Sequence, residues 1–133
     1  MNIESKTAQL LTKLIRETSK GSVRWEVRDA PRALNQATEQ VVPLYLQTQY
    51  KGAYLGVYEV RTKSFYDEHD FYWSEGLGFC VVDDHGRVVW ESNEYSPALQ
   101  DLFYTAREQA SGIDDILDDL LEDQSTSVGP KGP

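Results

Sequence analysis

Residues 41–62, VVPLYLQTQYKGAYLGVYEVRT, decide the fold because they predict two strands joined by a tight turn. Lys51-Gly52 is typical of a turn that reverses the chain in a β-hairpin. The pattern predicts strands over residues 41–50 and 53–62. In the first strand one face carries Leu44, Leu46, Thr48 and Tyr50. In the second strand apolar side chains occupy both faces, so its core-facing side stays open: one set is Leu55 and Val57, the other Tyr54, Tyr58 and Val60.

Further strands are predicted on both sides of this hairpin. Residues 22–28 alternate apolar and charged side chains, which predicts a half-buried strand with Val23, Trp25 and Val27 facing inward. Residues 73–82 and 87–92 predict two more strands, joined by a turn at Asp-Asp-His-Gly. In the fourth strand Leu77, Phe79 and Val81 share one face, and Gly76, Gly78 and Cys80 share the other.

Two stretches between the strands carry weaker signals. Residues 63–72 (KSFYDEHDFY) are aromatic and acidic at once, and we expect a long hairpin connection there. Residues 32–40 are compatible with either a short helix or a loop.

Three helices are predicted outside the strand region. The first covers residues 3–20, with Asn2 as N-cap and Gly21 as C-cap. The second begins at Ser96-Pro97, a hydroxyl N-cap followed by proline, and ends near Gly112. The last covers residues 113–122, with apolar residues on one face and acids on the other.

The order of these elements predicts an α+β domain. It comprises an N-terminal helix, an antiparallel meander of about five strands, and two C-terminal helices packed on one face of the sheet. We expect a single domain over residues 1–123 and a disordered Gly/Pro-rich tail over residues 124–133.

Composition restricts the classes of function. The chain has 133 residues and a formal net charge of −9, which disfavours direct binding to nucleic acid or to an anionic membrane. Basic proteins and cations remain plausible partners. Cys80 is the single cysteine, so no intrachain disulfide can form, and a free thiol suits the cytoplasm. The N-terminus has no signal-peptide pattern, and no apolar run could span a bilayer.

The charge is concentrated toward the C-terminus. Residues 1–32 carry seven bases and four acids, whereas residues 113–133 carry six acids and one base. All six of those acids lie between Asp114 and Asp123. An acidic helix face of this kind is either a solvated surface or an electrostatic landing site for a basic partner.

Catalytic signals are weak. The Asp67-Glu68-His69-Asp70 cluster holds groups that could bind a metal or move protons, but neighbours in a loop point in different directions, and a solvated acidic loop is favoured. His85 falls in a predicted turn, and Cys80 fits a buried, inert thiol. We therefore predict no catalytic residues, no metal and no cofactor, and we favour a protein that is not an enzyme.

Candidate partner-binding residues come from aromatic and acidic patches. Many of the aromatics between residues 45 and 73 should fill the core, but Tyr54 and Tyr58 share one side of a strand and are predicted to form an exposed pair. The full set of predicted partner-binding residues is Tyr54, Tyr58, Tyr66, Asp67, Glu68, Asp70, Asp115, Asp118, Asp119 and Glu122.

The chain resembles a loose type of small bacterial cytoplasmic α+β proteins. The resemblance rests on a first helix ending in glycine, a short strand around Trp25, the Tyr50-Lys51-Gly52 turn, the VVDDHGRV hairpin at residues 81–88, and a Leu-Phe-Tyr helix followed by an Ile/Leu-Asp helix. It covers residues 5–123 and implies the fold. It implies no activity and no catalytic residues.

Four functional hypotheses follow. The first is a non-enzymatic acidic module of the immunity, antitoxin or inhibitor type that recognises a more basic protein. The second is a secretion-type chaperone, although class I chaperones place a helix between groups of strands. The third is an enzyme or sensor that binds a metal or small ligand through residues 65–73. The fourth is mimicry of nucleic acid by the acids of the last helix. The oligomeric state stays open.

Overall fold

Five antiparallel strands follow one another along the chain and lie side by side in the same order. The computed structural model describes residues 2–35 and 40–122. Its elements are α1 (Ile3–Lys20), β1 (Glu26–Val27), a 3₁₀ turn (Arg32–Asn35), β2 (Gln40–Tyr50), β3 (Ala53–Phe65), β4 (Phe71–Val82), β5 (Val88–Ser92), α2 (Pro97–Ser111) and α3 (Ile113–Leu121). The predicted α+β architecture is confirmed. The predicted tail, residues 124–133, lies outside the described residues.

The helix ends form where the cap residues predict them. The Asn2 carboxamide oxygen accepts a hydrogen bond from the backbone N–H of Ser5 at 2.7 Å, and the Ser96 hydroxyl oxygen accepts one from the backbone of the first turn of α2. Gly21 and Gly112 have φ values of 84° and 65°, the left-handed conformation in which a helix commonly ends.

The tight turn at the centre of the sheet is also confirmed. Lys51 and Gly52 have φ values of 52° and 86°, so both central residues are left-handed, as a two-residue type I′ hairpin requires. Tyr50 pairs with Ala53 directly across this turn, which fixes the register of β2 against β3.

One face of the sheet packs against α1 and α2 and forms the main core. Leu46, Val57 and Phe79 supply the sheet side of this core, and Leu14 and Phe103 supply the helix side. Leu77 and Val81 pack against the same core, as their alternation in β4 predicted.

The predicted strand over residues 22–28 is wrong for most of its length. β1 has two residues, and Val27 is exposed although Val23 and Trp25 are buried. The side chain of Gln109 accepts the Trp25 backbone N–H at 2.8 Å and donates to the Val23 carbonyl oxygen at 2.7 Å. The hydroxyl of Thr48 donates to the carbonyl oxygen of Arg24, which lies between Val23 and Trp25, at 2.6 Å. Side chains therefore take the backbone groups that a longer strand would have used.

The other face of the sheet carries a second apolar cluster. Tyr45 and Tyr58 are its largest fully buried side chains, and Leu34 from the 3₁₀ turn packs with them. The open question about residues 32–40 is thus answered in part: residues 32–35 form the 3₁₀ turn, residue 40 begins β2, and residues 36–39 lie outside the described residues. β3 is buried on both faces. Its sequence therefore carries apolar side chains on both faces and does not indicate which of them packs against the helices.

The expectation of an exposed Tyr54 and Tyr58 pair is wrong. Tyr58 is fully buried and Tyr54 is half-buried. The reason is glycine: a Cβ at Gly78 would overlap the Tyr58 ring, so the absence of a side chain there lets the ring lie against the sheet.

The connection predicted over residues 63–72 is much shorter in the structure. β3 continues to Phe65 and β4 begins at Phe71, with the two residues paired directly and their ring centroids 5.9 Å apart. Cross-strand aromatic pairs stabilise such a ribbon, so the aromatics extend the hairpin. The loop itself is residues 66–70.

The last helix does not pack as expected. α3 contributes no buried residue, although an amphipathic helix of a domain normally buries its apolar face. Within the described part of the chain, no helix has the length and apolarity needed to cross a membrane.

Candidate protein-docking surfaces

α3 is a short helix, and within the described chain Ile113 at its start is half-buried whereas its other residues are exposed. Gly112 ends α2 in the left-handed conformation, and α3 begins at the next residue. Asp114 and Asp115 occupy the first turn, where the partial positive charge of the helix N-terminus stabilises carboxylates.

The apolar face of α3 is open to solvent. The exposed fractions of Ile116, Leu117, Leu120 and Leu121 are 45%, 49%, 73% and 82%. These residues recur at the spacing of one helix face, so they form a continuous stripe. Leaving large aliphatic side chains in water costs about 1.5–3 kcal/mol each relative to burial. We call this stripe the α3 apolar face.

The opposite face of α3 is acidic. Its exposed carboxylates are Asp114, Asp115, Asp118, Asp119 and Glu122. Asp114, Asp115 and Asp118 present ligand atoms within 4.8 Å of one another, which makes them the grouping among the described residues that could approach a metal ion. All three are exposed, so a cation there would keep much of its hydration shell.

The distal hairpin, residues 61–75, forms a second exposed patch. Phe65, Phe71 and Trp73 lie on the face that α1 and α2 cover elsewhere in the sheet, and all three are exposed. The Lys63 ammonium lies 4.1 Å from the centroid of the Phe71 ring, a cation–π contact. On the opposite face of the hairpin, Tyr66 stacks on Tyr72 of β4.

The predicted loop residues are exposed at the tip of this hairpin. One carboxylate oxygen of Asp67 accepts the backbone N–H groups of His69 and Asp70 at 2.7 and 2.8 Å, and these bonds lower the pKa of Asp67. Asp67 therefore shapes the turn, whereas Glu68 projects into solvent with its carboxylate 4.0 Å from the His69 imidazole. Tyr66 and Tyr72 stack with centroids 5.2 Å apart.

One of the predicted partner-binding residues, Tyr54, lines a groove on the second face of the sheet. Its volume is about 1140 Å³, and Arg28, Tyr45, Tyr54 and Asp83 are among the residues that line it. Its lining does not include His69, which lies on the hairpin tip.

Cys80 is buried in the second apolar cluster of the sheet, as its position in β4 predicted. Its Sγ lies 3.9 Å from the Tyr45 hydroxyl oxygen, and burial raises the pKa of the thiol to about 11. His85 lies in the β4–β5 turn, where the Asp83 carboxylate accepts its backbone N–H at 2.9 Å. The thiol is protonated and enclosed at neutral pH, so it fits a packing role.

Sequence reasoning missed two features. Gln109 binds the segment before β1, and the signal was available: a polar residue sits on the buried side of α2 between Ala106 and Ala110. The second is the exposure of the α3 apolar face, for which the sequence holds no signal, because an amphipathic pattern does not say which surface the helix meets. Searches of protein-family models, curated proteins and solved structures return no match to this chain.

Proposed function

We propose that the protein is a non-enzymatic acidic binding module that recognises a more basic protein through α3. The observation that carries the proposal is an amphipathic helix with no buried residue, whose apolar face is open and whose other face is wholly acidic. Contiguous exposed apolar surface rimmed by polar groups marks an interaction site.

The mode of binding follows from the spacing. Ile116, Leu117 and Leu120 lie at the i, i+1 and i+4 positions that an amphipathic helix uses to enter an apolar groove of its partner. Leu121 extends the stripe toward the exposed end of the helix. The partner would supply the groove, and this chain would supply the helix.

Charge complementarity selects the class of partner. The five described acids of α3 and its cap flank the apolar face, and the helix carries no base. Two copies of α3 placed face to face would bring these carboxylates together, which is unfavourable. A groove rimmed by Lys and Arg would neutralise them and would speed association.

The distal hairpin offers a second contact for the same partner. Tyr66, Glu68 and Asp70 are exposed at its tip, and Asp67 orders the loop that presents them. Tyr54 is half-buried in the groove. Tyr58 is buried and has no part in the proposal.

The secretion-type chaperone is the second candidate, and topology counts against it. Class I chaperones place a helix between groups of strands. Here β2 to β5 follow one another without a helix, and the described chain between β1 and β2 contains one 3₁₀ turn. The enzyme or sensor alternative would need groups that converge on a cleft, whereas His69 and His85 lie on exposed turns.

The proposal is tested by affinity capture from an extract of the native host with three immobilised baits. They are the wild-type chain, the double variant Leu117→Ser/Leu120→Ser, and the control Val89→Ser, which removes an exposed aliphatic side chain from β5 instead of α3. We expect a basic protein to be retained by the wild type and the control and lost from the double variant. The purified partner should then bind the double variant at least about tenfold more weakly.

Stability measurements complete the test. Because Leu117 and Leu120 are exposed, the double variant should change the free energy of unfolding by no more than about 0.5 kcal/mol. Retention of the same protein by all three baits, or of no basic protein by the wild type, contradicts the proposal.

A further inference from the structure

β4 has a long unpaired edge. β5 pairs with β4 only from Phe79 to Val82, whereas β4 begins at Phe71. Residues 71–78 therefore have β3 on one side and no strand of the described chain on the other. Unpaired strand edges are templates for pairing with another strand.

The backbone groups that point outward from this edge can be identified. The N–H of Tyr66 donates to the carbonyl oxygen of Asp70 at 3.1 Å, so these two residues form a hydrogen-bonded pair. Hydrogen-bonded and non-hydrogen-bonded pairs alternate along an antiparallel ladder. The even-numbered residues of β4 therefore bond to β3, and Phe71, Trp73 and Glu75, together with Leu77, present their N–H and C=O groups outward.

We infer that two copies of this chain associate by antiparallel pairing of their β4 edges, with the two-fold axis beside Ser74. The centre of residues 71–77 is Ser74, so this register pairs all four outward-facing residues with one another. Phe71 then lies opposite Leu77 of the second copy, and Trp73 lies opposite Glu75 of the second copy. Each pair occurs twice, as an isologous two-fold interface requires.

The side chains on the second face suit the same register. Tyr72 lies opposite Gly76 of the second copy, where no described atom outside residues 75–77 comes within 4 Å of the position that a Cβ would occupy. Within one chain, Tyr58 is paired directly with Gly78 and its ring fills the space there. The two-fold pairing would repeat at Gly76 the tyrosine-on-glycine packing that the fold already uses at Gly78, two pairs further along β4.

A second copy is the occupant because the edge is complementary to itself. Phe71 meets an aliphatic side chain, and the Glu75 carboxylate that faces Trp73 is 3.9 Å from Arg61 of its own chain, which offsets its charge. The acidic loops at residues 66–70 lie at opposite ends of the paired edges, so they do not meet. The inference uses no residue of α3 and goes beyond the proposed function.

Disulfide trapping tests the register. Ser74 and its copy would form a non-hydrogen-bonded pair with Cα atoms about 4.5 Å apart, within the range that a disulfide spans. Ser74→Cys should therefore give a covalent dimer under mild oxidation. The matched control is Thr62→Cys, which replaces the residue paired with Ser74 on β3 and lies one strand further from the axis. Cys80 is buried and should not interfere.

Edge blocking tests the interface without a cross-link. Glu75→Pro removes an outward N–H and leaves the bonds to β3 intact, whereas Glu75→Ala keeps that N–H and loses the same carboxylate. By sedimentation equilibrium we expect the dissociation constant of the dimer to rise about tenfold or more in Glu75→Pro relative to Glu75→Ala, because two interchain hydrogen bonds are lost. Circular dichroism checks that both variants fold.

The results of these dimerisation experiments do not depend on the results of the capture experiment that tests α3. The inference is supported if Ser74→Cys cross-links and Thr62→Cys does not, and if Glu75→Pro dimerises more weakly than Glu75→Ala. A wild-type chain that stays monomeric at millimolar concentration overturns it. Equal cross-linking of both cysteine variants, or equal dimerisation of the two Glu75 variants, overturns it as well.

Discussion

At the scale of single residues, two glycines of β4 have opposite surroundings. A Cβ at Gly78 would overlap the ring of Tyr58, whereas a Cβ at Gly76 would meet open space. Gly78→Ala should therefore lower the free energy of unfolding by about 1–3 kcal/mol, because the ring must move. Gly76→Ala should leave it unchanged or raise it by about 0.5–1 kcal/mol. Urea denaturation at low chain concentration measures both changes. Equal effects of the two substitutions would contradict the packing of the Tyr58 ring against Gly78.

The buried thiol of Cys80 predicts a loss of stability in alkali. Its pKa is about 11 in the folded chain against 9.0 for an unperturbed thiol, so the unfolded chain loses the proton first as pH rises. The stabilisation is complete below pH 9 and is lost between about pH 9 and 11, by about 1–3 kcal/mol. Burial also raises the pKa of Tyr45 and Tyr58, which adds a loss above pH 10.

Cys80→Ala provides the control for this pH dependence. The variant should be less stable at pH 8 because it leaves a small cavity, but its stability should change less than that of the wild type between pH 9 and 10. Denaturant unfolding across this range measures both curves. Parallel curves would show that the thiol does not ionise differently in the two states.

At the scale of elements, Gln109 ties α2 to the segment before β1. Its carboxamide bonds the Trp25 N–H and the carbonyl oxygens of Val23 and Thr18. Gln109→Met keeps the length of the side chain and leaves those groups unpaired, so we expect a loss of about 1–3 kcal/mol in the free energy of unfolding. Glu108→Met, one position away and exposed, should change it by less than about 0.5 kcal/mol. Thermal or urea unfolding distinguishes them, and similar losses would contradict the role of Gln109.

Local signals predict most elements of this fold and fail where tertiary contacts decide. Asn2, Gly21, Ser96 and the Lys51-Gly52 turn act within a few residues, so helix ends and the central hairpin can be predicted from sequence. The strand at residues 22–28 could not, because Gln109 and Thr48 lie far away in the chain and take its backbone groups.

Of the candidate docking residues, the acids of α3 and the loop at residues 66–70 could be placed from sequence, since charge patterns predict exposure. Tyr58 could not, because its burial depends on a glycine in the next strand. The α3 apolar face could not either: its residues have the pattern of core residues, and their exposure follows from how the described part of the chain packs.

At the scale of the whole molecule, the net charge of −9 is unevenly distributed over the surface. The first 32 residues are net positive, and five described acids line α3 and its cap. The proposed two-fold pairing joins the molecules through β4 and would present two copies of α3 on one assembly. Two α3 helices on one dimer would allow bivalent capture of a partner that is itself repeated.

The most direct test of the docking role of α3 is the rate at which the captured partner associates with the chain as salt is varied. For the wild type we expect the association rate constant to fall about tenfold or more between about 50 and 500 mM salt, because the acids of α3 attract a basic partner. The variant Asp115→Asn/Asp118→Asn/Asp119→Asn/Glu122→Gln should associate more slowly at low salt and show little dependence on salt, with its fold unchanged by circular dichroism. An association rate that is the same for the variant and the wild type at every salt concentration would contradict the account.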